Sequence, residues 1–150
     1  MTAIADLPPS VWADFVACFR GELLGAGIAR EVYALRTDPS KVVKIEMADR
    51  SFQNALEWST WRQLRETKYA KYLAPCHWIS PCGIVLIQER ARPLMPEHER
   101  VRLPSFLTDT KRANYGVING RVVAVDYGTN LAISDGAFAS KLRKPDWWDL

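Results

Sequence analysis

No window of this 150-residue chain reaches the roughly 18 consecutive apolar residues that a membrane-spanning helix needs. The N-terminal residues carry Asp6 and a Pro8-Pro9 pair instead of a basic stretch followed by an apolar run, so no signal peptide is expected. Cysteine is scarce and odd in number: Cys18, Cys76 and Cys82. Without a secretory leader these read as reduced, mostly buried thiols rather than a disulfide framework. Cys76, His77 and Cys82 lie close together, but a fourth ligand is missing and the spacing fits no usual zinc pattern. The net charge of +3 is too small to argue for nucleic acid. Internal repeats and low-complexity segments are also absent. What remains, with 48% hydrophobic and 25% charged residues, is the make-up of an ordinary cytoplasmic globular domain able to bury a core.

Read in order, the chain offers Ser10 as the cap of a helix carrying Trp12, Phe15, Val16 and Phe19 on one face, ended by Gly21. Gly25-Ala26-Gly27 follows, with strand character resuming at Val32. Residues 41–46 form a strand that sets Lys44 among apolar neighbours. Residues 51–70 read as a long amphipathic helix, with Phe52, Leu56, Trp61 and Leu64 as its core face. Glu57 is the first candidate on that helix for an ion pair with Lys44, and Glu66 the alternative. Two strands, 75–79 and 83–89, flank Ser80-Pro81-Cys82. Residues 90–105 are basic and broken by Pro93, Pro96 and Pro104, with room for a short helix around 97–100. Glu97 and Glu99 interleave with the arginines there, which favours a solvated connection over a nucleic-acid surface.

The most informative stretch is 107–128. Asp109, Lys111 and Asn114 precede an apolar, β-branched hairpin that turns at Asn119-Gly120, and the hairpin runs out into Asp126-Tyr127-Gly128. Beyond it, residues 135–142 are expected to be helical. Trp147-Trp148 either docks back on the domain or anchors a partner, docking being favoured.

D-x-K-x-x-N followed by a hairpin and D-Y-G, with glycines, a strand lysine and a helix glutamate upstream in that order, resembles the protein kinase-like superfamily. Its compactness is closest to small members from bacterial and phage genomes. The resemblance implies an α+β fold: an N-lobe of antiparallel sheet with one long helix, plus a minimal C-lobe remnant carrying the catalytic loop and the DYG hairpin. Within one domain, 1–21 would be an N-terminal helix, 22–91 the N-lobe and hinge, and 92–150 the reduced C-lobe and tail. It implies ATP and Mg²⁺ as cofactors. Gly25 and Gly27 would admit phosphates to the backbone. Lys44 would touch them and be held by Glu57. Gln88 and Glu89 would lie at the adenine-binding hinge. Asp109 would accept the proton of an attacking hydroxyl, Lys111 would offset charge on the transferred group, and Asn114 and Asp126 would hold Mg²⁺.

The departures are specific. Arg30 stands where the third glycine of the loop is expected, so that it either stiffens the loop or puts positive charge over the nucleotide. Leu107-Thr108 replaces the His-Arg before the catalytic Asp, and no A-P-E motif follows D-Y-G. Two expectations follow. One is an ATP/Mg²⁺-dependent phosphotransferase acting on an unidentified hydroxyl, in the host cytoplasm if phage-encoded. The other is a pseudokinase-like interaction protein that binds a protein partner or a second copy of itself, with or without nucleotide.

Overall fold

Val42, Val43 and Ile45 on one strand and Val85 and Leu86 on another are apolar on both faces, a pattern that belongs in the middle of a covered sheet. The computed structural model, which describes residues 8–46, 51–98, 100–130 and 141–149, places them there. The fold is mixed α+β, with a five-stranded antiparallel sheet and two α-helices among the described residues. The strands are β1 (Arg20–Ala26), β2 (Arg30–Leu35), β3 (Lys41–Glu46), β4 (Cys76–Ile79) and β5 (Val85–Glu89), in the spatial order β1-β2-β3-β5-β4. Contacts divide the chain into two compact units: Met1–Trp58 with Cys76–Arg90, and Ser59–Pro75 with Ala91–Leu150. No helix among the described residues is long and apolar enough to cross a membrane.

In the first unit, α1 (Pro9–Ala17) sets Val16 against Val43, Ile45, Ile84 and Val85, and this cluster is the apolar core. Ser10 is not its cap. Pro8 occupies the cap position without a side-chain bond, and Pro9 opens the helix, where its missing N–H costs nothing. The helix stops before Gly21, which lies inside β1, and Phe15 faces solvent.

Helix α2 (Gln53–Leu64) is shorter than its sequence suggests. Thr67 accounts for the stop: its backbone N–H and its hydroxyl both donate to the Leu64 carbonyl, at 2.9 and 2.7 Å, taking the acceptor that a continuing turn needs. Its buried side also differs from the expected one. Asn54, Glu57, Thr60 and Leu64 are buried, while Phe52 and Leu56 are exposed.

The second unit is built around the hairpin of β7 (Tyr115–Ile118) and β8 (Arg121–Ala124), reached through the short β6 (Leu103–Pro104), which pairs with β9 (Leu142–Arg143). Asn119 and Gly120 both have positive φ, the conformation that a tight two-residue turn requires. The incoming chain crosses β7 at Gly116. A Cβ there would sit 2.6 Å from the Ala91 Cβ and 2.7 Å from the Arg92 carbonyl oxygen, so only glycine fits. The tail docks within this unit: Trp147 is buried with its ring 5.0 Å from that of Tyr115, and the Trp148 indole donates to the Val101 carbonyl at 2.9 Å. Residues 96–98 form one 3-10 turn in place of the expected short helix. The helix expected over 135–142 lies almost wholly outside the described residues.

Candidate functional site

In the first unit the β-sheet pleat sorts the polar residues. Arg30 pairs with Glu46 across β2 and β3, Val32 with Lys44, Lys44 with Leu86, and Val42 with Gln88. Side chains directly opposite one another share a face. Arg30, Lys44, Glu46 and Gln88 therefore all point to the side on which α2 presents Asn54 and Glu57. All six are buried.

Glu57 is the hub. Its Oε1 accepts from Lys44 Nζ at 2.6 Å and from Gln88 Nε2 at 3.1 Å, while its Oε2 pairs with the Arg30 guanidinium. Arg30 also donates to Asn54 Oδ1 at 3.0 Å. The Asn54 amide in turn donates to the carbonyls of Lys44, Gly83 and Ile84. Glu46 Oε1 takes the Asn54 backbone N–H at 2.7 Å, so a carboxylate from β3 caps the exposed amides at the start of α2. Two cations and two carboxylates thus balance inside the sheet–helix layer, which is what allows the layer to be dry.

Lys44 and Glu57 are therefore brought together, and Glu66 is left fully out, 85% exposed at its side chain. Arg30 is turned inward, away from any position over the loop. Gly25 and Gly27 lie at the outer end of β1. Neither has a positive φ, and a Cβ would meet nothing within 4 Å at Gly25 and only the Arg30 carbonyl, 3.9 Å away, at Gly27. The fold itself needs glycine at neither position. Gln88 is placed differently from the hinge expected of it. It lies within β5, with partners on both β3 and β4, and it is the side chain that joins the buried network. Glu89 ends the strand, and its Oε2 accepts from His77 Nε2 at 2.7 Å.

In the second unit, Asp109, Lys111 and Asn114 share one loop that closes with a 3-10 turn at Arg112–Asn114. Lys111 Nζ is 3.8 Å from Asp109 Oδ2, and both side chains are exposed. Asn114 Nδ2 donates to the Asp109 carbonyl at 3.5 Å, leaving its Oδ1 as the atom able to face a cation. The hairpin brings Asp126 back alongside: Val125 N–H donates to the Asn114 carbonyl at 2.8 Å, so Asn114 and Asp126 flank the open end of β7–β8.

Tyr127 is the anchor of this end. It is buried and donates its hydroxyl to the Ala74 carbonyl at 2.7 Å, beside an Ala74 N–H that bonds the Ala124 carbonyl. Asn130 then bridges the Tyr127 carbonyl and the Thr60 hydroxyl of α2. Asn114 and Asp126 are the two residues here that could hold a hard cation with oxygen ligands. Cys76, His77 and Cys82 do not gather: among the described residues no group of three or more His, Cys, Asp or Glu side chains is arranged to hold a metal ion.

Burial lifts the Tyr115 phenol well above its ordinary range. On the surface, hydrogen bonds from Lys41 and Ser40 hold the Asp38 carboxyl down at about 2.

Sequence reasoning missed Asn54 and gave Arg30 a place over the loop instead of in the buried layer. The signals were present. Arg30, Val32 and Ala34 alternate along one face of β2, and Asn54 lies one helical turn before Glu57. No protein-family model matches this chain, and no curated protein matches it.

Proposed function

We propose that the chain is an ATP/Mg²⁺-dependent phosphotransferase acting on a hydroxyl acceptor. The observation that carries this reading is the closure of the 109–114 loop on the end of the β7–β8 hairpin. It sets Asn114 beside Asp126 and keeps Asp109 and Lys111 exposed in the same loop. Oxygen ligands on an open, solvated edge suit Mg²⁺, which keeps much of its water shell and takes few protein ligands. Bound MgATP supplies the transferable phosphoryl group and the cation that neutralises it.

The residues of the chain divide the remaining work. Asp109 receives the proton of the acceptor hydroxyl, and Lys111 offsets negative charge on the group in transit. Lys44, oriented by Glu57, carries the positive charge for the non-transferred phosphates. Gly25 leaves room for close approach to the backbone, which explains glycine at a position where the fold does not require it, while the Gly27 N–H is already given to the Arg30 carbonyl at 2.9 Å.

The reading requires Lys44 and Asp126 each to contribute to nucleotide binding. Calorimetric titration of ATP tests it, with and without Mg²⁺, on the native chain and on Lys44→Met and Asp126→Asn. Mg²⁺-dependent binding that each substitution weakens at least tenfold is the expected result. Unchanged binding in both variants refutes it.

A second reading, an interaction protein with a kinase-like scaffold, draws on a different observation. Arg30 and Gln88 already satisfy Glu57, and Lys44 is only 3% exposed, so the buried charges have a complete structural role without nucleotide. Absence of ATP binding at millimolar concentration in a folded chain is the outcome that favours it.

A further inference from the structure

The tip of the β7–β8 hairpin lies at the opposite end from Asn114 and Asp126, and it borders an open cleft of about 470 Å³ within the second unit. That is the size of a small-molecule pocket. Three sequence-distant segments bring cations to it: Lys71 from the 3-10 turn Ala70–Tyr72, Arg100 from the basic connection, and Arg121 from the start of β8. Among the described residues Glu97 is the one carboxylate lining it, and the fixed charges of that described lining sum to two positive. Among the described residues none of the three cations is in an ion pair. Like charges gathered around one opening repel each other.

Two further features shape the cleft. The His98 ring lines it, with Nδ1 sealed from solvent and without a hydrogen-bond partner among the described residues. A buried ring nitrogen left in this state is costly unless something bonds it. Beside it the Tyr72 ring gives a flat wall, with the Lys71 ammonium 5.2 Å from its centroid.

We propose that this cleft binds a small molecule bearing a phosphate monoester, with the dianion among Lys71, Arg100 and Arg121 and an organic body against Tyr72. Two net positive charges match a dianion, and arginines offer the planar, paired donors that phosphate oxygens accept. The His98 ring lies against the cleft and so reports on its occupation. The inference does not depend on the phosphotransferase reading, because it uses none of that reading's residues.

The chain has two histidines, which makes the test direct. His77 belongs to the other unit and is occupied by Glu89, so it serves as the internal control. Phenyl phosphate is titrated into the full chain at physiological salt while the two imidazole Cε1–H resonances are followed, with phenol as the uncharged control. Saturable movement of the His98 signal, with a dissociation constant on the order of 1 mM or tighter and a still His77 signal, is expected. The double variant Arg100→Gln/Arg121→Gln, whose side chains are exposed, should weaken it by about tenfold or more with the rest of the spectrum unchanged. Three results overturn the proposal: equal or non-saturating movement of both histidines, an effect of phenol as large as that of phenyl phosphate, or indifference to the double substitution. Saturation of His98 by a single-stranded oligonucleotide but not by phenyl phosphate overturns it in favour of a nucleic-acid surface.

Discussion

Removing the hub carboxylate of the buried network should cost far more than removing either cation that it holds. Glu57 is completely buried, between Lys44 at 3% and Arg30 at 7% exposure. In Glu57→Gln a neutral amide faces both cations, and neither can reach water. Breaking a buried pair by deleting one partner costs about 3–5 kcal/mol, because the remaining charge is left uncompensated. In Lys44→Met the outcome differs: Glu57 keeps the Arg30 guanidinium and the Gln88 amide. The loss at Glu57 is then a charge-assisted hydrogen bond, about 1.5–3 kcal/mol gross, partly offset by a methionine that fills the space. Arg30→Met should behave likewise.

The double variant Lys44→Met/Arg30→Met strands the carboxylate and should cost about 1 kcal/mol or more beyond the sum of the single losses. Urea unfolding followed by tryptophan fluorescence measures all four. The Trp12 and Trp78 rings, 5.9 Å apart in the same unit, report on it. With a urea dependence near 2 kcal/mol/M, Glu57→Gln shifts the midpoint by roughly 2 M and each single cation variant by roughly 1 M or less. Single cation losses as large as that of Glu57→Gln, with an additive double variant, would refute the shared-carboxylate account.

Four further outcomes are expected. Gly116→Ala drives a Cβ into the Arg92 carbonyl and should destabilise the second unit by about 1–3 kcal/mol, read as a lower thermal midpoint. Trp147→Ala removes a buried ring from beside Tyr115 and should cost about 3–5 kcal/mol, whereas loss of a partner with stability intact would mean that the tail is an interface instead. The Tyr115 phenol, raised by burial, contributes stability that is whole below its unfolded value near 10 and is lost as pH climbs above it, so Tyr115→Phe should flatten the alkaline fall in midpoint. Asp38, lowered to about 2, contributes stability that is present above its ordinary 3.8 and lost as pH falls towards 2, and Asp38→Asn should remove that part of the acid slope.

The legible parts of the fold were those in which a residue type answers a local demand. β-branched runs marked β3 and β5, and Asn119-Gly120 marked the one turn that needs two positive φ values. Lys44 and Glu57 were paired on the resemblance, which sets a strand lysine against a helix glutamate, and the pair is formed. On helix α2 Leu64 is buried as expected, but Phe52 and Leu56 were read inward because hydrophobic periodicity assumes that the buried stripe is apolar. Here that stripe begins Asn54, Glu57, Thr60, and what covers it is a set of charges contributed by other strands. No local pattern states that. Arg30 was misjudged for a related reason. Measured against a glycine-loop pattern it looked like a defect in a loop, whereas it is the first residue of β2 and faces inward by the ordinary alternation of the strand.

That distinction bears on function. Arg30, Lys44, Glu46, Asn54, Glu57 and Gln88 form a self-consistent buried layer, and folding alone is reason enough for each of them. Their presence therefore says little about nucleotide. The residues outside that layer are Gly25 and Gly27, which need neither the conformation nor the space, and Asp109, Lys111, half-buried Asn114 and Asp126 around the open end of the hairpin. Glycine in a strand costs about 0.5–1 kcal/mol relative to alanine. Gly25 lies inside β1 and carries that cost without a packing reason for it. The case for a phosphotransferase consequently rests on the solvent-facing residues, and the Lys44–Glu57 pair supports it only if nucleotide binding draws Lys44 out of the layer that now holds it.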